Sequence, residues 1–155
     1  LLPMAFPEGS PMHPAYGAGH ATVAGACVTI LKAFFDTSTV LIKDSNNEYK
    51  FKHKEDQDQF MAFRTNSSGT DLITEDINNI SEALTPEGEL NKLAANISIG
   101  RNMAGVHYFS DYYDSIRMGE QIAIGILQEQ ALTYSTDPFV MSVPTFDGNI
   151  VRIGY

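Results

Sequence analysis

The spacing of apolar residues along the chain predicts three long helices. In the first predicted helix, apolar residues recur at helical intervals at Val23, Cys27, Ile30 and Phe34, and a second apolar stripe runs beside them. Two adjoining stripes predict that this helix is buried on most of its sides. Cys27 is the single cysteine of the chain, so we expect it to be a small core residue and expect no internal disulfide.

A second helix is predicted to begin at Thr85-Pro86-Glu87, which combines an N-cap hydroxyl, a proline in the first turn and an acidic side chain. The apolar stripe of this helix leads to Arg101, and Gly105 is typical of a helix end. Because an arginine on a buried helix face needs an anionic partner, Arg101 is a candidate anion-binding residue.

The third helix and two hairpins complete the predicted elements. The helix is expected to be capped by Ser110 or Asp111 and to continue to about Tyr134. Alternating apolar positions predict one hairpin around residues 44–47 and a second around residues 147–149. The second hairpin is a candidate oligomer contact.

Residues 37–84 differ from the helical pattern around them. Residues 52–80 are polar and lack a clear period, so we predict that residues 37–84 form a variable surface insertion. The sequence contains no repeat and no linker. We therefore predict a single domain over residues 1–155, mainly α, in the form of a helical bundle with a small β-hairpin element.

Charge and composition restrict the possible partners. The net charge of −9 argues against nucleic acid or an acidic membrane surface. No apolar run is long enough for a membrane span. A hydrophobic content of 43% is typical of a chain with a packed core.

The chemistry-bearing residues lie at two helix ends. Gly19 and His20 introduce the first helix without a capping side chain, and free N–H groups at such a helix start can bind an anion. From these residues alone, the simpler interpretation is a glycine-rich turn into a core helix with His20 at its surface, because short glycine motifs are weak signals. Arg101 can hold two oxygens of an oxyanion. His107 and His20 can then divide the roles of ligand and acid–base catalyst, with Asp111 orienting the imidazole.

These two blocks resemble the signature of vanadium-dependent haloperoxidases and type-2 acid phosphatases. That superfamily carries Pro-Ser-Gly-His and then Ser-Arg-x5-His-x3-Asp; here residues 17–20 read GAGH and residues 100–111 read GRNMAGVHYFSD. The text of residues 13–26 is similar to the bromoperoxidases of red algae and related marine cyanobacteria. The resemblance covers residues 1–36 and about 85–155.

The resemblance implies a role for each matching residue. His107 would bind vanadium directly, while Arg101 and the backbone N–H of Gly19 would donate hydrogen bonds to vanadate oxygens. His20 would be the acid–base residue and would take a proton from hydrogen peroxide. Ala18 falls within the cofactor-binding motif but replaces its serine, which removes a hydrogen bond worth about 1.5–3 kcal/mol.

Two further positions follow from the same resemblance. His13 matches a histidine beside the cofactor and would lie near the halide pocket. Asp111 matches the conserved aspartate of the motif and is expected in the second shell around His107.

The implied function is the oxidation of bromide or iodide by hydrogen peroxide to hypohalous acid, which halogenates small organic acceptors, with vanadate as cofactor. The resemblance also implies a homo-oligomer and a secreted or cell-wall location. The family completes its site with an upstream Lys-x6-Arg-Pro, and this chain contains no Arg-Pro pair. We therefore expect the C-terminal part of a larger haloperoxidase domain, poorly active without the upstream part of the same enzyme.

Two alternatives remain open from the sequence. The first is a phosphatase of the same superfamily that acts through a phosphohistidine at His107, with His20 protonating the leaving group. The second is a non-catalytic helical assembly module, which the replacement at Ala18 favours.

Overall fold

The computed structural model describes residues 11–43, 46–53, 61–75, 83–134 and 136–155. Contacts divide the chain into two compact units, one of Leu1–Phe34 with Leu90–Tyr155 and one of Phe35–Glu89. In chain order the elements are α1 (Gly19–Phe34), β1 (Thr39–Lys43), β2 (Tyr49–His53), β3 (Met61–Thr65), β4 (Leu72–Glu75), α2 (Pro86–Met103), α3 (Phe109–Thr133), β5 (Val140–Pro144) and β6 (Ile150–Gly154). None of the helices in these ranges combines the length and apolar character needed to cross a bilayer.

Apart from Lys32, helix α1 buries mainly small residues and exposes most of its large apolar ones. The buried positions are Ala21, Ala24, Gly25, Val28, Thr29 and Lys32. By contrast, Val23 is 63% exposed, Phe34 is 79% exposed, and Cys27 is exposed. Within the described residues, the prediction of a helix buried on most sides, with Cys27 in the core, is therefore wrong. The reason is that the small residues allow another helix to approach closely, and packing concentrates on that face.

The close approach is between α1 and α3, at two glycines. A Cβ atom added to Gly25 would lie 2.1 Å from the carbonyl oxygen of Ile116. A Cβ atom added to Gly119 would lie 2.0 Å from the carbonyl oxygen of Thr22. Since both neighbours are backbone atoms, a larger residue at either position requires the two helices to move apart.

A buried charge pair joins α1 to α3 beside this contact. Lys32 Nζ lies 4.0 Å from Glu120 Oε1 and donates a hydrogen bond to Asn91 Oδ1 at 3.3 Å. The ammonium also lies 4.2 Å from the ring centroid of Phe146, whose backbone N–H donates to Glu120 at 2.7 Å. Burial raises the pKa of Glu120, while the hydrogen bond from the backbone and the charge of Lys32 oppose that rise. The pattern of apolar and polar residues did not predict this pair.

Both ends of α2 agree with the sequence prediction. The N–H of Gly88 donates to Thr85 Oγ1 at 3.0 Å, which makes Thr85 the N-cap. At the other end, Gly105 has a φ of 77°, and its N–H donates to the carbonyl of Asn102. Together with the bond from Val106 N–H to the Arg101 carbonyl, this is a Schellman motif.

The N-cap of helix α3 is Tyr108, two residues before the first predicted cap, Ser110. Asp111 lies inside the first turn, and its Oδ2 accepts a hydrogen bond from the N–H of Tyr108 at 2.8 Å. Prediction of Ser110 or Asp111 as the N-cap is therefore wrong, because the aspartate stabilises the helix start from within. The C-terminal half of α3 packs Ile124 and Ala131 against the antiparallel β5–β6 hairpin, which confirms the second predicted hairpin.

The second unit is a four-stranded antiparallel sheet with the order β2-β1-β3-β4. The β1–β2 pair, with Leu41 opposite Phe51, confirms the first predicted hairpin. The prediction of an irregular stretch over residues 52–80 is wrong, because β3 and β4 pair with Arg64 opposite Ile73. Residues 44–45, 54–60 and 76–82 lie outside the described part. The variable insertion and the single domain both stay predictions.

Candidate active site

His107 lies between α2 and α3 with its imidazole fixed by a backbone carbonyl. Its Nδ1 is 2.7 Å from the carbonyl oxygen of Ala15, in a partly buried contact. A carbonyl oxygen only accepts hydrogen bonds, so Nδ1 carries the proton. In the neutral ring the proton is then absent from Nε2, whose lone pair is available to a metal or an electrophile.

Asp111 lies next to His107 but does not form a hydrogen bond with its imidazole. Its Oδ2 is 3.6 Å from His107 Nδ1, which is too long for a hydrogen bond, and the same oxygen accepts the N–H of Tyr108. The carboxylate therefore fixes the start of α3 next to the histidine, while the carbonyl of Ala15 orients the ring. Sequence reasoning missed Ala15, because a backbone acceptor leaves no signal in its side chain.

His107 opens into a cleft of about 430 Å³. The described lining residues are Pro11, His13, Ala15, Asn102, Gly105, Val106, His107 and Tyr108. The fold thus brings His13 to the cleft of His107. Asn102 was not among the predicted site residues. Its Oδ1 is buried and has no hydrogen-bond donor within the described part of the chain.

The start of α1 is formed by the backbone alone. Ala18 is buried, and its carbonyl accepts hydrogen bonds from the N–H of Thr22 at 2.9 Å and from Thr22 Oγ1 at 3.1 Å. Its N–H donates to Ser115 Oγ at 2.9 Å. The methyl group of Ala18 cannot cap the helix. The amides of the first turn, including those of Gly19 and His20, therefore need acceptors from outside the helix.

Gly19 and His20 face a different cleft, of about 550 Å³. Its other described lining residues are apolar, namely Val23, Ala24, Cys27 and Ile97. The clefts of His20 and His107 have no described lining residue in common. Helix α2 connects them, because Ile97 lines the first cleft and Asn102 lines the second. Arg101 follows Ile97 by one helical turn and is partly buried.

The donor set fits a tetrahedral oxyanion better than a metal held by several side chains. Among the described residues, no three His, Cys, Asp or Glu side chains come together. The donors predicted from the sequence are one imidazole nitrogen at His107, the backbone amide of Gly19, and the guanidinium of Arg101, of which Gly19 and His107 line separate clefts. One nitrogen ligand combined with N–H donors is a chemically consistent set for an anion such as vanadate or phosphate.

Comparison with known proteins identifies the class. The family described as VCPO second helical-bundle domain matches residues 2–134, and this chain belongs to that family. The chain is 52% identical over 153 residues to a vanadium-dependent bromoperoxidase of Corallina pilulifera. It is 53% identical over 153 residues to that of Corallina officinalis, and 32% identical over 155 residues to that of Ascophyllum nodosum. These alignments cover 99% of this chain but only 22% to 24% of the relatives.

A solved structure agrees with this assignment. The second vanadate-dependent bromoperoxidase of Ascophyllum nodosum, described as homohexameric, superimposes with a TM-score of 0.64 at 32% identity. The match covers 99% of this chain and 27% of that protein. The predicted helical-bundle fold and the resemblance to vanadium haloperoxidases are thereby confirmed.

Proposed function

We propose that this chain is the part of a vanadium-dependent bromoperoxidase that provides the vanadium ligand and half of the anion site. The reaction is the oxidation of bromide or iodide by hydrogen peroxide to hypohalous acid, which halogenates small organic acceptors. One observation carries the proposal: the Nδ1–H of His107 is bound to the carbonyl of Ala15, which leaves Nε2 for vanadium. The names of the relatives support the same activity.

The cofactor is proposed to be vanadate, held by Nε2 of His107 and by N–H donors of Gly19 and Arg101. When bound, it supplies Lewis acidity that polarises an oxygen of hydrogen peroxide. The Ala15 carbonyl keeps the His107 ring in the required tautomer throughout. Ala18 adds no side-chain donor, so the helix start contributes through backbone amides alone.

His20 is proposed to be the acid–base residue. It is exposed at the start of α1, where its ring can exchange protons with solvent. In the neutral form it takes a proton from hydrogen peroxide, and as imidazolium it returns that proton to the departing oxygen. Overall, one hydrogen peroxide, one bromide and one proton yield hypobromous acid and water. His13 shares the cleft of His107 and is proposed to lie beside the halide.

A phosphatase is the second candidate, because the same tautomer favours it. Nε2 of His107 is equally available as a nucleophile toward a phosphate ester, with His20 protonating the leaving group. The names of the relatives support the bromoperoxidase as the first candidate. For either activity we propose a homo-oligomer, since the solved relative is homohexameric.

The test compares histidine variants in the chain alone and in a chain extended to the length of the relatives. Without His107 (His107→Ala), vanadate binding and bromination of a phenol-type dye should both be lost. His20→Ala should bind vanadate yet brominate about a hundredfold more slowly or worse. His53→Ala, on an exposed strand of the other unit, is the control and should match the wild type.

The outcomes separate the candidates. Bromination by His107→Ala at the wild-type rate would contradict the proposed vanadium ligand. Hydrolysis of a phosphate ester without bromination would favour the phosphatase. If neither chain brominates the dye or hydrolyses the phosphate ester, the non-catalytic helical assembly module would be favoured.

A further inference from the structure

Ser115 of α3 holds the backbone just before α1. It is 1% exposed, and its Oγ accepts the N–H of Ala18 at 2.9 Å in a fully buried contact. Because Ala18 has no polar side chain, this hydroxyl provides the side-chain contact that fixes the peptide at the helix start. The neighbouring tether from Tyr16 to Asp114, at 3.2 Å, is exposed and therefore weaker.

The same glycine contact that brings the helices together sets the position of Ser115. Ser115 and Gly119 are four residues apart on α3, and Ala18 and Thr22 are four residues apart at α1, so each pair shares a helix face. Gly119 meets the carbonyl of Thr22 too closely for any side chain. One turn earlier, this fixed register places Ser115 opposite Ala18.

The segment that Ser115 anchors serves both halves of the proposed site. Ala15, three residues before Ala18, provides the carbonyl that orients His107. Gly19, the residue after Ala18, provides the first amide of α1. A shift of the Ala18 peptide would therefore disturb the imidazole and the amide donors together.

We propose that Ser115 is a positioning residue of the anion site, acting through the Ala18 peptide. This inference rests on the proposed function for its ligand. Ser115 itself contacts neither substrate nor cofactor. Its hydroxyl keeps the amides of Gly19 and His20 directed at the anion, and it keeps the Ala15 carbonyl within reach of His107.

The first experiment is amide hydrogen exchange by NMR on the 155-residue chain without vanadate. Ser115→Ala is compared with Ser98→Ala, which removes another hydroxyl that is 1% exposed but bonded within α2 to the Ala94 carbonyl. The amide of Ala18 should exchange about tenfold faster in Ser115→Ala than in Ser98→Ala, after correction for global stability.

Two further variants guard against misfolding. Ser115→Thr keeps a hydroxyl acceptor and should restore slow exchange at the start of α1. Should Ser115→Ala not fold, Ser115→Cys gives the same comparison, since its thiol fills the space but accepts hydrogen bonds weakly. Equal exchange in the Ser115 and Ser98 variants would overturn the inference.

The second experiment titrates orthovanadate into the same variants of a chain extended to the length of the relatives and follows it by vanadium NMR. Affinity should fall about tenfold in Ser115→Ala, stay unchanged in Ser98→Ala and recover in Ser115→Thr. Wild-type affinity in Ser115→Ala would overturn the inference. Absence of binding by the wild-type chain would count against the proposed function, and the exchange rates alone would then decide whether Ser115 fixes the segment.

Discussion

The substitution Gly119→Ala in α3 tests the close contact between α1 and α3 most directly. The added methyl group would lie 2.0 Å from the Thr22 carbonyl oxygen and 2.8 Å from the Ala26 nitrogen. An ordinary contact between carbon and oxygen is about 3.3 Å or longer, so the helices must separate by about 1 Å. Because the obstructing atoms belong to the backbone, no change of rotamer can relieve the overlap.

The expected magnitude follows from two opposing effects. Overpacking of a tight contact costs up to about 3 kcal/mol, and the upper end applies where backbone must move. Alanine gains about 1 kcal/mol over glycine from helix propensity. We therefore expect Gly119→Ala to lower the free energy of unfolding by about 2 kcal/mol.

Gly125→Ala provides a matched control in the same helix. A Cβ atom at Gly125 would meet nothing within 4 Å, so only helix propensity changes there. This variant should be about 1 kcal/mol more stable than the wild type. Urea unfolding followed by circular dichroism measures both variants, and the gap between them should be about 3 kcal/mol. A gap below about 1 kcal/mol would refute the close helix contact.

Three further predictions concern the charged residues of the helical unit. Lys32→Met should lower the free energy of unfolding, measured in urea, by about 3–5 kcal/mol, because it leaves Glu120 buried without its cation. The double variant Lys32→Met/Glu120→Leu should recover most of that loss. Because burial raises the pKa of Glu120, its contribution to stability is full below its unfolded pKa and is lost as pH rises through the raised value. The stability of the wild type relative to Glu120→Gln should therefore fall as pH rises, and a slope of the opposite sign would contradict the assignment. Asp111→Ala should cost about 1 kcal/mol in thermal unfolding through loss of the Tyr108 cap, whereas Asp111→Asn, which keeps an acceptor, should cost less.

Local features of the sequence were sufficient to predict both ends of α2 and both hairpins. Thr85 caps a helix through its own hydroxyl, and Gly105 ends one through a positive φ. Each of these effects depends on residues within one turn, so the sequence specifies them directly. Strands β3 and β4 escaped prediction because they are short, and β3 takes its backbone partners from both β1 and β4.

The sequence by itself determined the family motif, both ends of α2 and the two predicted hairpins, since these depend on side chains close together in the chain. Only the tertiary structure decided which face of α1 is buried. Both apolar stripes suited a buried helix, but the face that contains Gly25 is the one that α3 approaches closely. The tertiary structure also decided that the Ala15 carbonyl, rather than Asp111, orients His107, and that Ser115 holds Ala18. Residues 18 and 115 are far apart in sequence, and a hydrogen bond between a hydroxyl and a backbone amide leaves no periodic pattern in the sequence. This contact could therefore be seen only in the packed structure.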